Sequence, residues 1–133
     1  MTTQPTDLPG RNSFTSTIHL PFPTQMQMLE SNRLSVETEY CVYSLPKGAR
    51  MEPAPDAVRI LTTNVDDLAV WLEVRGGTVT VARAGDGVQV WTLRTATEAE
   101  LPKYPAVTVL VSVLVTDDEP MMPELRDALV VSA

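Results

Sequence analysis

Residues 106–115 read AVTVLVSVLV, with valine at every odd position from Val107 to Val115. Branching at Cβ suits valine to a pleated strand, and the run is far shorter than a membrane-crossing helix. Alternation places Val107, Val109, Val111, Val113 and Val115 on one face and Thr108, Leu110, Ser112 and Leu114 on the other. A strand with apolar area on both faces is expected at the centre of a sheet or at a subunit interface. The remaining chain must supply its neighbours and its cover.

The segment before it reads as strand, helix and hairpin. Val58–Thr62 is expected as a strand, and Asn64 then caps a helix whose first turn carries Asp66 and Asp67 beside the positive end of the helix dipole. Val65, Leu68, Ala69 and Leu72 form a buried stripe with Trp71 at its edge, and Gly76 with Gly77 ends the helix. Thr78–Arg83 and Val88–Thr95 follow as strands joined by Ala84, Gly85, Asp86 and Gly87. A two-residue turn at Asp86 and Gly87 sets Val79 against Arg94 and Val81 against Thr92. A four-residue loop sets Val81 against Val90 and Val79 against Thr92, which keeps the valines together and is the expected register. Val79, Val81, Val88 and Val90 then share one face, and Trp91 and Leu93 occupy the other.

The first half is less clearly signalled. Residues 1–12 have little to bury and read as a flexible arm, and Phe14, Ser16, Ile18 and Leu20 alternate as a short strand before Pro21 and Pro23. Thr24 and Gln27 have capping-box spacing ahead of a run of helix formers, yet Met26 and Met28 also alternate, so residues 24–33 admit a short helix or a strand. In residues 34–45, Leu34, Val36, Thr38, Tyr40 and Val42 alternate with Ser35, Glu37, Glu39, Cys41 and Tyr43, which is the pattern of a half-buried strand. Pro46, Gly48, Pro53 and Pro55 mark residues 46–57 as a surface loop. Residues 96–105 are a polar link, and after Asp117, Asp118 and Glu119 a short amphipathic helix carries Met122, Leu125 and Leu129. The expected fold is α+β: one domain over residues 13–133, built on a mainly antiparallel twisted sheet of about five or six strands. A main helix near residues 65–75 and a short C-terminal helix complete it.

At 133 residues, with 44% apolar and 20% charged, the chain can bury one core. A net charge of −7 opposes contact with polyphosphates and anionic lipid, so neither nucleic acid nor membrane is an expected partner. The single cysteine, Cys41, and single histidine, His19, leave no internal disulfide and no Cys/His zinc site within one chain. The first residues, MTTQPTDLPGRNS, lack the basic and apolar regions of a secretion signal, so a cytoplasmic location is expected. His19 has no nucleophile motif beside it, and Cys41 reads as an inert cysteine. Asp66 and Asp67 are explained by helix capping, and Asp117, Asp118 and Glu119 lack calcium-loop spacing. Gly85 and Gly87 join two strands and read as turn glycines. Neither a cofactor nor a metal is expected.

Aromatic residues, methionine and arginine are enriched in interfaces, which makes Trp91, Leu93, Lys47, Arg50, Met121 and Met122 candidates for a protein-binding surface. Packing in the core is the competing reading for the apolar ones. The segment VRILTTNVDDLAVWLEVRGGTVTVARAGDGVQVWTLRT, residues 58–95, resembles a strand-helix-hairpin unit of small uncharacterised proteins of actinobacteria and their phages. That resemblance covers under a third of the chain and implies an intracellular bacterial or phage accessory protein, with no active site attached. The expected function is therefore a non-catalytic protein-interaction module, regulatory or accessory, that binds a protein partner, itself as a dimer, or both. Two other classes remain open: a structural subunit of a homo-oligomeric or phage assembly, and a small carboxylate-based enzyme or ligand binder.

Overall fold

A computed structural model describes residues 21–98 and 105–130. The elements are α1 (Phe22–Tyr43), β1 (Arg50–Pro53), β2 (Val58–Thr62), α2 (Val65–Arg75), β3 (Thr78–Gly85), β4 (Val88–Ala96), β5 (Thr108–Thr116) and α3 (Pro123–Asp127). The fold is α+β. The strands form one sheet in the order β1-β2-β5-β4-β3, so the valine strand β5 is central, one of the two places expected for it. Strand β5 runs parallel to β2 and antiparallel to β4, and the remaining pairs are antiparallel. The expected arm at residues 1–12, the strand at Phe14–Leu20 and His19 lie outside the described residues.

Register places one continuous apolar layer on one face of the sheet. Val58, Ile60 and Thr62 stand opposite Val109, Val111 and Val113, which in turn stand opposite Thr95, Leu93 and Trp91. Val79 pairs with Leu93 and completes the layer. All three helices cover this face: Val36 and Tyr40 of α1, Leu68 and Trp71 of α2 and Leu125 of α3 join the same buried cluster. Trp71 is fully buried at the centre of α2's packing face, where an edge position was expected, and its indole N–H donates to the Pro46 carbonyl at 3.1 Å. Burying a large side chain of this kind contributes about 3 kcal/mol. The indole bond also anchors the chain leaving α1.

The largest departure from the expected fold is residues 34–45. Of these, residues 34–43 continue α1, a 22-residue helix, where alternation predicts a strand, and Ser44 is its C-cap. Val36, Glu39 and Tyr40 are buried at helical spacing, while Leu34 and Val42, on the alternation face of Val36 and Tyr40, are exposed. No glycine or proline interrupts residues 24–45, and Arg33 pairs with both Glu30 and Glu37 at helical spacing, so a helix once started propagates to Ser44. Its start is also earlier than expected. Pro21 is the N-cap and Thr24 lies within the first turn, so no capping box forms.

The proline-rich stretch is likewise not all loop, because Arg50–Pro53 pairs with β2 as the edge strand. Pro53 ends that strand, where the missing amide hydrogen costs no ladder bond. The β3–β4 hairpin follows neither expected register. Asp86 and Gly87 do form a two-residue turn with Gly85 opposite Val88, but a bulge between Arg83 and Gly85 shifts the pairing by one. Val79 consequently faces Leu93 and Val81 faces Trp91, and all four side chains point toward the helices. Helix α2 keeps the expected ends: the Asn64 side chain accepts the Asp66 N–H at 3.0 Å, and Gly76 takes φ 72°.

A charged clasp closes the end of the helical layer. Arg75, at the end of α2, donates from Nε to Glu39 Oε1 at 2.7 Å and from Nη2 to Glu39 Oε2 at 3.3 Å. It also reaches Glu98 at 3.4 Å, and its guanidinium stacks 4.2 Å from the Tyr43 ring centroid. The Glu98 N–H donates to Glu39 as well, so helix α1, helix α2 and the exit of β4 share one buried carboxylate.

Two stability outcomes follow from these contacts. Arg75→Met leaves Glu39 buried and unpaired and is expected to cost about 2–4 kcal/mol, with Glu39→Gln/Arg75→Met costing less than Arg75→Met alone. Urea denaturation at neutral pH measures both. By the same assay Gly76→Ala is expected to cost about 1–3 kcal/mol from backbone strain alone, because its added Cβ meets no atom within 4 Å. Gly77→Ala is expected to cost more, since its Cβ would lie 2.2 Å from the Arg94 carbonyl oxygen. Equal midpoints for the two glycine variants would contradict this geometry.

Candidate functional site

With the described helices gathered on one side, the opposite face of the sheet carries no described element. Three cross-strand rows make it up. The first is Glu52, Arg59, Leu110, Arg94 and Thr78; the second is Arg50, Leu61, Ser112, Thr92 and Thr80. The third is Leu114, Val90 and Ala82. Leu114 is 65% exposed and Leu61 37%, although Leu114 belongs to the central strand. Thr92 and Ser112 bond to each other at 3.0 Å, which satisfies the hydroxyls and leaves a low point between Leu110 and Leu114. At strand spacing the three rows on β2, β5, β4 and β3 span roughly 400 Å².

The charge of this face is opposite to that of the chain. It carries Arg50, Arg59 and Arg94 against Glu52 alone, while the whole chain has a net charge of −7. Arg50 pairs with Glu52 at 3.0 Å. Among the described residues Arg59 and Arg94 form no ion pair, and both are exposed. They stand on the two strands flanking β5, each opposite Leu110. Their Cα atoms are therefore roughly 10 Å apart.

The sequence-derived interface candidates are not brought together. Trp91 and Leu93 are 2% and 0% exposed, pack under the helices and form no surface. Their pairing with Val113 and Val111 of the central strand puts them in the core layer, and the bulge before Gly85 brings Val79 and Val81 onto that same face. Met121 and Met122 pack half-buried against the core. Lys47 and Arg50 are exposed and line a cleft of about 430 Å³ between α1 and β1, with Glu37, Tyr40, Cys41 and Met51. The Lys47 ammonium sits 5.9 Å from the centroid of the Tyr40 ring, and the Cys41 thiol is free and exposed. Arg59 and Arg94, which reasoning from sequence missed as a pair, lie 35 positions apart. Their alternation with Ile60 and with Leu93 was legible, and their adjacency was not.

Other chemistry is dispersed. Among the described residues no group of three or more His, Cys, Asp or Glu side chains could hold a metal ion. Asp67 accepts from Thr62, Asp118 accepts from Thr116 at 2.6 Å, and Asp117 pairs with Arg83, so these carboxylates are engaged locally. A basic stripe of Arg75, Arg83 and Arg94 does not form, because Arg75 is held in the clasp and Arg83 and Arg94 lie on opposite faces of the sheet. No described helix is long and apolar enough to cross a membrane. Comparison with known proteins found no family model, no curated protein and no solved structure that matches the chain.

Tyr40 shows how tightly α1 is seated. Its ring meets the Trp71 ring edge-on at 6.3 Å, and its hydroxyl is buried with no hydrogen-bond partner among the described residues. Burial, with a smaller push from the Glu37 charge, moves the phenol from 10.0 up to about 12. Because the folded value is the higher one, this contribution to stability is fully present below about pH 10 and is lost as the pH rises through about 12. Tyr40→Phe is expected to be neutral or slightly stabilising at pH 7, since it removes an unpartnered buried hydroxyl, and to remove this alkaline loss. Denaturation midpoints between pH 7 and 12, with absorbance at the tyrosinate band, check both outcomes.

Proposed function

We propose that this chain is a non-catalytic protein-interaction module whose working surface is the open face of its sheet. The observation that carries this reading is Leu114, a central-strand side chain left 65% exposed beside Leu61, Leu110 and Val90. An exposed apolar patch with a polar rim is a common mark of a docking surface. An area of roughly 400 Å² suits one segment of a partner, being about half of what each side of a standard interface buries. A second copy of the chain is the weaker occupant of this face, because a symmetric pairing would bring four unpaired arginines onto one interface. The free, exposed thiol of Cys41 favours a reducing compartment, so the cytoplasm is the proposed location. Direct contact with nucleic acid or membrane is not part of the proposal.

Leu114→Gln tests the surface without disturbing the core. The substitution is expected to change stability by less than about 0.5 kcal/mol, given the exposure of the side chain. Affinity capture from cells of the source organism is expected to recover a partner with the unaltered chain and to lose it with Leu114→Gln. Equal recovery by two equally stable proteins would rule out this face.

A further inference from the structure

We propose that the open face binds an acidic amphipathic helix of a partner protein, laid along β5, with Arg59 and Arg94 receiving carboxylates on its two flanks. This inference rests on the protein-interaction reading and names the chemistry of the partner. The width of the site comes first. Arg59 on β2 and Arg94 on β4 face each other across Leu110, roughly 10 Å apart, which is the diameter of an α-helix with its side chains. Between them, Leu110 and Leu114 rise on either side of the Thr92–Ser112 pair, giving an apolar track along β5 for a stripe of leucine-type residues.

Charge selects the sign of the flanks. Two exposed guanidiniums with no ion pair among the described residues, on a cationic face of a chain of net charge −7, repel basic segments and attract acidic ones. Arginine also offers a planar fork that takes a carboxylate in two parallel hydrogen bonds. Topology selects a helix over an added strand, because the sheet presents a face here and not an edge. At the β3 edge, Val79 already exchanges backbone bonds with the C-terminal segment, accepting from the Val130 N–H and donating to the Ala128 carbonyl, both at 2.9 Å. A nucleic acid is disfavoured by the same surface. Among the described residues no aromatic side chain stands on this face to stack a base, and two free arginines neutralise few phosphates.

Selection from a random library of helix-forming peptides displayed on phage, panned against the full chain, tests the proposal without assuming the partner. The expected consensus has leucine-type residues at i, i+3 or i+4, and i+7, with Asp or Glu on both flanks. Binding of a selected peptide, followed by fluorescence anisotropy, is expected to weaken about tenfold in Arg59→Gln/Arg94→Gln and to fall with added salt. Denaturation midpoints verify that this variant and Leu114→Gln remain folded. Neutral or basic peptides that ignore the arginine substitutions but are lost with Leu114→Gln would overturn the acidic-helix inference and leave the interaction module standing. No enriched peptide, or binding unaffected by Leu114→Gln, would overturn both. An oligonucleotide bound more tightly than the selected peptide through the same arginines, or a dimer of the chain that excludes the peptide, would also overturn the inference.

Discussion

Every other feature of this molecule depends on burial of one face of β5 beneath helix α2. Val109, Val111 and Val113 meet Leu68 and Trp71 in a shared core, and the neighbouring strands align their own apolar residues with that layer. Once the valine face has taken the helices, Leu110 and Leu114 are committed to the opposite side by the pleat alone. The same alternation that buries the core thus leaves the opposite face open.

The attachment of α1 is a second layer of the same construction. Only a narrow stripe of this long helix is buried; Asn32 ties it to the Ala54 and Pro55 carbonyls, and three further contacts are Tyr40 against Trp71, the Trp71 indole to Pro46, and Arg75 to Glu39. Each of these three joins α1 or its exit to α2, so the two helices are locked to each other as well as to the sheet. A buried carboxylate is costly unless paired, which ties the position of Glu39 to the arginine at the end of α2. The clasp also removes Arg75 from the surface. Arg59 and Arg94 on the open face, Lys47 beside its cleft and Arg126 of α3 are then the exposed cations outside ion pairs among the described residues.

That redistribution gives the open face its character. Arg33, Arg50, Arg75 and Arg83 have acidic partners, whereas Arg59 and Arg94 face solvent across a leucine. An unpaired charge on an exposed side chain costs little by itself and means little alone. Two of them at the width of a helix, bordering an apolar track on an otherwise acidic protein, form a surface with a definite preference of sign.

Much of the fold was legible in the sequence because its signals are local. Valine alternation gave β5 and its central place, Asn64 with Asp66 and Asp67 gave the start of α2, and Gly76 with Gly77 gave its end, each acting within a few residues of the chain. Residues 34–43 defeated the same reasoning because Leu34, Val36, Tyr40 and Val42 satisfy a strand period, while the helical-spacing pairs of Arg33 and the packing of Tyr40 and Glu39 against α2 favour a helix there. The faces of Trp91 and Leu93 turned on their pairing with Val113 and Val111 of β5, where one position of register inverts side-chain direction completely. The candidate site was less legible still. Arg59 and Arg94 become neighbours only through the pairing of β2 and β4 with opposite sides of β5, which joins segments far apart in the chain. Local periodicity and capping chemistry determined which segments could be strands or helices; long-range strand pairing decided which side chains share a face, because that choice is made by the burial of the whole sheet and not by any one segment.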